Sequence, residues 1–199
     1  RELAAFAEER GTPALHEELM RIDPASAEAI HPNNVKRVIL PDATATSKTF
    51  ERMMDAIEAE KCEVIESAPD YEFYVGELRC TILAPISTSY TETNNYSVVI
   101  RADYGETSVL FTGDAEVDSE AEMLERYRFK GMLDCDLLKS GHHGSDTSSS
   151  QEFLDAVTPA FAVISVGEGN TYDHPKQVTL AKYDAMNIQY FRTDKEGSI

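Results

Sequence analysis

Nowhere in these 199 residues does an apolar run approach the roughly 20 residues that a membrane-spanning helix requires, so the sequence carries no candidate span. Cysteine is scarce. Cys62, Cys80 and Cys135 are widely spaced and form no paired-cysteine metal motif, which argues against a thiolate-bound zinc module. Cys62 and Cys135 open apolar runs and Cys80 lies inside one, so all three read as buried free thiols; this usage leans toward a reducing, cytoplasmic compartment. Basic residues are also few. Against 36 Asp and Glu stand 18 Lys and Arg, a net charge of −18, and such a field repels nucleic acid and anionic membrane. Stable, non-specific nucleic-acid binding is therefore not expected, although a nuclease holds its substrate only briefly. There is no internal repeat, low-complexity tract or long linker. The opening residues, Arg1-Glu2-Leu3-Ala4-Ala5-Phe6-Ala7, look like an acidic amphipathic helix and not a signal peptide, and the chain reads as beginning mid-protein.

What is present suits one domain with a small appendage. Residues 1–34 read as an acidic helical segment broken by Gly11-Thr12-Pro13 and Asp23-Pro24. The texture then changes, and residues 35–199 read as the main domain. Val35 to Leu40 is a short β-branched strand ending at Pro41. Phe50, Met53, Met54 and Ile57 share one face of a helix over 49–59. Strands are expected at 62–65, in a hairpin over 71–83 turning near Gly76, and at 96–102 and 107–112 across the turn Asp103-Tyr104-Gly105-Glu106. From 119 onward, helices (119–128, 150–157, 177–186) alternate with strands (135–139, 160–166, 188–192). Such alternation predicts an α/β (α+β) fold with strands covered by helices.

Two of these strands end in chemistry. Val109-Leu110-Phe111-Thr112 runs into Gly113-Asp114, and Leu137-Leu138-Lys139 runs into Ser140-Gly141-His142-His143-Gly144-Ser145. Ligands of sheet-based α/β proteins collect outside the carboxyl ends of strands, so an Asp and adjacent imidazoles there suggest a metal site of oxygen and nitrogen donors. The acidic series Asp114, Glu116, Asp118, Glu120 and Glu122 lacks the ligand spacing and central glycine of a calcium loop. It reads as the exposed face and first turn of a helix. Ser148 to Ser150 read as the cap of the helix that follows them.

Asn94-Asn95-Tyr96-Ser97, Thr112-Gly113-Asp114, His142-His143-Gly144-Ser145 and Tyr172-Asp173-His174-Pro175, in this order, resemble the metallo-β-lactamase-fold hydrolases. The similarity is to the branch holding the extracytoplasmic domain of ComEC-type competence proteins, and it extends over Thr46-Ser47-Lys48-Thr49-Phe50 and the closing Arg192-Thr193-Asp194. It implies an αββα sandwich with a cleft for two divalent metal ions, zinc or else manganese, and an extracytoplasmic setting as the alternative to the cytoplasmic one. The family's leading His-x-His-x-Asp-His motif has no counterpart: only His16 and His31 lie upstream of Val35, so the sandwich is expected to be incomplete in its N-terminal half.

By the resemblance, Asp114 and one imidazole, His142 in preference to His143, are metal ligands, with the other histidine a contact to substrate or to the ligands. His174 either touches substrate and protonates a leaving oxygen, or fixes Tyr172 and the helix start. Asn94, Asn95, Ser145 and Tyr172 are the further substrate-binding candidates. The implied activity is phosphodiester hydrolysis by a metal-activated water, on a small molecule or nucleic acid. The alternative is a metal-free member of the fold acting as a binding or scaffolding module. Unpaired sheet edges would also allow an oligomer that completes the sheet.

Overall fold

The computed structural model describes residues 35–197, excepting 44 and 46. The expected helical segment 1–34, with His16 and His31, and Thr46 lie outside the described residues. The described chain divides into two compact units, one ending at Ser67 and including the hairpin tip Tyr74–Glu77, the other comprising residues 68–73 and those from Leu78 onward.

In the first unit, strand β1 (Arg37–Leu40) pairs in parallel with β2 (Glu63–Glu66) through helix α1 (Lys48–Glu60). Ser47 caps α1 by accepting the Phe50 N–H, and Lys61 closes it in a left-handed conformation. Val35, Val38, Met53, Ala56 and Ile57 form this unit's small core. Cys62 donates its thiol to the Val35 carbonyl at 3.2 Å.

The second unit holds most of a seven-stranded mixed sheet, in the order β3 (Glu72–Val75), β4 (Leu78–Ala84), β5 (Val99–Tyr104), β6 (Thr107–Phe111), β7 (Leu137–Lys139), β8 (Phe161–Ile164), β9 (Gln189–Arg192). The α/β class expected from the alternation is thus the observed one. β4, β5 and β6 run antiparallel, while β6 to β9 are parallel to one another. The connections after β6 are helical, as parallel pairing demands: α2 (Val117–Tyr127), α3 (Gln151–Val157) and α4 (Gln177–Ala185), with a short α5 (Thr193–Glu196) at the end. Leu110, Leu138, Ala162 and Ile164 point from the strands onto Met123, Tyr127, Phe153, Leu154 and Tyr183 of these helices, in one continuous core.

Two expectations are corrected. Tyr96 does not begin β5; it ends a 3₁₀ turn, Thr93–Tyr96, whose Asn95 is needed elsewhere. Glu120 is not on an exposed helix face. It is buried, and its two carboxylate oxygens accept the Ser149 and Ser150 N–H groups at 2.5 and 2.8 Å. The amides that begin α3 need an acceptor, and a carboxylate from α2 supplies one that Ser150, occupied with Phe153, does not.

Candidate active site

The parallel half of the sheet opens at its carboxyl ends, and three consecutive loops there carry the polar groups. After β6, Gly113 turns the chain with φ +54°, where a side chain would meet Ser97 Cβ at 2.9 Å. That close approach lets Ser97 Oγ accept the Asp114 N–H at 3.0 Å. After β7 the chain enters a left-handed turn in which His142 (φ +46°) and His143 (φ +54°) are both positive-φ, non-glycine residues. Such backbone is costly for residues bearing a Cβ and tends to be kept where side chains must be aimed. His142 N–H is held by the Gly113 carbonyl at 3.1 Å, which ties the two loops together.

The turn sends the two imidazoles to different carboxylates. His143 Nε2 stands 3.4 Å from Asp114 Oδ1, and its Nδ1 is 2.6 Å from the Ser165 carbonyl beyond β8. His142 Nδ1 is 3.1 Å from Glu116 Oε1 and 3.1 Å from Thr147 Oγ1. The same Glu116 oxygen also accepts from Thr147 Oγ1 at 3.0 Å and Asn94 Nδ2 at 3.1 Å.

Asp114 has a cation of its own nearby. Lys139 Nζ donates to the Gly113 carbonyl at 2.8 Å and lies 4.0 Å from Asp114 Oδ1. Burial pushes the Lys139 ammonium down to about 8, with Asp114 opposing that shift.

Beside His143 opens a cavity of about 440 Å³, lined also by Ser165, Gly167, Asn170, Tyr172 and His174. Asn170 clamps the backbone of His174, accepting its N–H at 3.0 Å and donating to its carbonyl at 2.8 Å. The His174 ring lies 5.6 Å from that of His142 and stacks on the exposed Tyr172 ring at 5.8 Å. Its Nδ1 is buried without a hydrogen-bond partner among the described residues. Burial, then His142, Lys176 and His143, lower the His174 pKa below the ordinary imidazole value.

The expected site residues are therefore brought together unevenly. Asp114, His142, His143, His174, Tyr172 and Asn94 converge. Asn95 is buried, and its Oδ1 accepts the Glu116 and Ser119 N–H groups at 3.0 and 3.2 Å, doing for α2 what a capping side chain would do. Ser145 is buried too, its hydroxyl 3.0 Å from Thr147 Oγ1 and its carbonyl accepting from Thr179. Glu116, Lys139, Thr147 and Asn170 join the site without having been singled out for these contacts. A lysine inside an apolar strand was the one local signal for Lys139.

ComE operon protein 3 of Bacillus subtilis is 30% identical over 167 residues, covering 84% of this chain and 21% of that protein. Competence protein ComA of Neisseria gonorrhoeae is 35% identical over 140 residues, 64% of this chain and 20% of that one. The chain is thus similar in sequence to these competence proteins. It spans about a fifth of the length of these curated relatives. Among solved structures, the metallo-β-lactamase fold protein YhfI from Bacillus subtilis is 13% identical, with a TM-score of 0.46 over 83% of this chain and 68% of that one. A second similarity concerns the start of the sequence. A family profile described as IPP transferase matches residues 1–79, and a tRNA dimethylallyltransferase of Geobacillus thermodenitrificans is 59% identical over 39 residues, 20% of this chain and 12% of that one.

Whether these residues fit a metal is decided by the donor set. Two ligands about 2.0–2.2 Å from a tetrahedral zinc stand roughly 3.4 Å apart, which is the spacing expected between two donors on one ion. Asp114 Oδ1 and His143 Nε2 have that spacing. A catalytic zinc takes about three protein donors, however, and among the described residues no group of three or more His, Cys, Asp or Glu side chains could hold a metal ion. His142, expected as the ligand, has Nδ1 beside Glu116 and Nε2 3.5 Å from Asn94 Nδ2. The described residues thus offer one edge of a coordination sphere and do not by themselves make a metal centre.

Proposed function

We propose that this cleft hydrolyses phosphodiesters, as a hydrolase of the metallo-β-lactamase type. The observation that carries the reading is the convergence of Asp114, His143, His142 and His174, from three successive strand-end loops, beside a cavity of about 440 Å³. A cavity of that size is in the range of small-molecule sites, which begins at about 300 Å³. Homology to competence proteins supports the hydrolase fold family. A zinc or manganese ion would need donors beyond the described residues, and Asp114 and His143 are the ones this chain would offer it.

The chain's own groups then have distinct tasks. His143 lines the cavity and stands 3.4 Å from Asp114. Tyr172 offers an exposed ring face to an aromatic part of the substrate. His174, whose pKa is lowered by burial and by neighbouring His142, Lys176 and His143, lines the cavity, where it contacts substrate or exchanges a proton with it. Lys139, close behind Asp114, adds positive charge in a chain of net charge −18, where a phosphate anion is otherwise repelled.

The test is hydrolysis of bis(para-nitrophenyl) phosphate by the full chain, with zinc, with manganese and with chelator, for the native protein and Asp114→Ala. Metal-stimulated turnover that Asp114→Ala abolishes supports the reading. Absence of turnover in every condition, with no metal retained on dialysis, leaves a binding or scaffolding module of the same fold.

A further inference from the structure

We propose that Glu116 is a positioning residue for His142: with Thr147, its carboxylate fixes the imidazole in the tautomer protonated at Nδ1 and leaves Nε2 unprotonated. This rests on the reading of the cleft as a reaction site only for its effect on turnover; the tautomer is measurable by itself.

The hydrogen-bond chemistry admits one consistent assignment. A carboxylate oxygen accepts, so Asn94 Nδ2 at 3.1 Å and Thr147 Oγ1 at 3.0 Å donate to Glu116 Oε1, and His142 Nδ1 stands 3.1 Å from the same oxygen. Thr147 has a single hydroxyl hydrogen, and giving it to Glu116 leaves its oxygen as an acceptor toward His142 Nδ1 at 3.1 Å. His142 Nδ1–H thus goes to the threonine oxygen, with the carboxylate 3.1 Å from the same nitrogen. The second hydrogen of the Asn94 amide faces His142 Nε2 at 3.5 Å, a long approach that suits an acceptor nitrogen and opposes a protonated one.

The backbone is committed to the same arrangement. Glu116 N–H is held by Asn95 Oδ1 at 3.0 Å, and Val117 N–H by the Thr147 carbonyl at 3.1 Å, so the carboxylate and the threonine are anchored independently of the histidine. His142 is delivered by a left-handed turn at φ +46°. Side-chain exposure is only 22% for His142 and 13% for Glu116, which limits competition from water. Glu116 is therefore a partner that sets which nitrogen carries the proton, the second-layer detail on which imidazole chemistry depends. The His174 ring lies 5.6 Å from that of His142.

Nitrogen-15 spectra of the imidazoles test the proposal, in the full chain at alkaline pH, where there are five histidines to assign. Native His142 should show Nδ1 at the protonated position and Nε2 at the unprotonated one. Glu116→Ala should move both toward the averaged values of a free imidazole, and Glu116→Gln, which retains an acceptor oxygen, should restore them. His143, whose Nδ1 lies 2.6 Å from the Ser165 carbonyl, is the internal control and should keep its pattern throughout. Turnover, where measured, should fall on the order of 10–100-fold in Glu116→Ala with little change in KM. A native His142 protonated at Nε2 overturns the proposal before any variant is made. So does a His142 pattern unchanged in Glu116→Ala while His143 shows the variant folded. If no phosphodiester is hydrolysed yet the tautomer behaves as stated, the positioning role stands and the activity assigned to the cleft falls.

Discussion

His143 and Asp114 form the central pair of the cleft, Nε2 to Oδ1 at 3.4 Å, while His142 answers to Glu116. Adjacent residues in sequence are thus partners of different carboxylates. Groups acting as a unit lose activity non-additively, so the two pairs are separable by double-mutant cycles. Asp114→Ala and His143→Ala should each lower phosphodiester turnover about 100-fold or more, and together little more than either alone. Glu116→Ala with His142→Ala should couple in the same way. A cycle in which Asp114 couples to His142 and not to His143 would contradict the pairing.

Lys139 gives a pH signature in stability. Its pKa falls from 10.5 to about 8 because the ammonium is buried, so the folded state holds its proton less tightly than the unfolded chain does. Below about pH 8 the folded protein bears the whole penalty of the buried charge. As pH rises from about 8 toward 10.5 the folded state sheds a proton that the unfolded state keeps, and stability from this group increases. The magnitude is on the order of 2–3 kcal/mol across that window. Tyrosines and cysteines titrate there too, so the quantity to measure is the difference in urea midpoint between native protein and Lys139→Met at pH 7, 8, 9 and 10. Lys139→Met should be the more stable at pH 7, and its advantage should shrink toward pH 10. A constant difference would place the lysine in water.

Glu120 is predicted to be a structural carboxylate. It accepts the Ser149 and Ser150 N–H groups from within the core, and burial raises its pKa against the lowering effect of those bonds. Glu120→Ala leaves both amides without an acceptor, a loss of roughly 2–6 kcal/mol at about 1–3 kcal/mol per orphaned group. Glu120→Gln keeps one oxygen and should lose about half as much. Chemical denaturation of the two variants distinguishes this from a surface role, for which both would lie within about 0.5 kcal/mol of the native protein.

How far the sequence discloses these relations depends on whether a residue's task is local. The helices and strands from 117 to 192 follow from apolar periodicity and from caps such as Ser150, whose hydroxyl accepts the Phe153 N–H three residues on. Asp114 and the two histidines are visible because each sits where an apolar strand stops. Glu116 and Glu120 are not visible in that way. They stand in a stretch of alternating acids that looks like a solvated helix start, and their burial is imposed by Thr147, Ser149 and Ser150 from about 30 residues downstream. Asn95 shows the same limit: beside Asn94 in sequence, it faces α2 while Asn94 faces the cleft.

Gly144 links the fold to the cleft, and its substitution should harm both. Its φ is +81°, and a Cβ there would stand 2.5 Å from Pro175 Cβ and 3.1 Å from Pro175 Cα, the residue directly after His174. No real side chain tolerates such a contact, so Gly144→Ala must push the 174–176 segment outward. The Gly144 carbonyl also accepts the Lys176 N–H at 2.8 Å, so the displaced segment would lose an anchor as well. A loss of about 2–5 kcal/mol is expected, combining left-handed strain of about 1–2 kcal/mol with overpacking of about 1–3 kcal/mol. Gly76 is the matched control: its φ is +60°, and nothing lies within 4 Å of a Cβ built on it. Gly76→Ala should show only the strain, about 1–2 kcal/mol, and leave turnover unchanged. Thermal midpoints and turnover for the pair separate the two contributions. Equal midpoints for the two variants would mean that Pro175 yields without resistance, and that His174 is not held in place by the glycine beneath it.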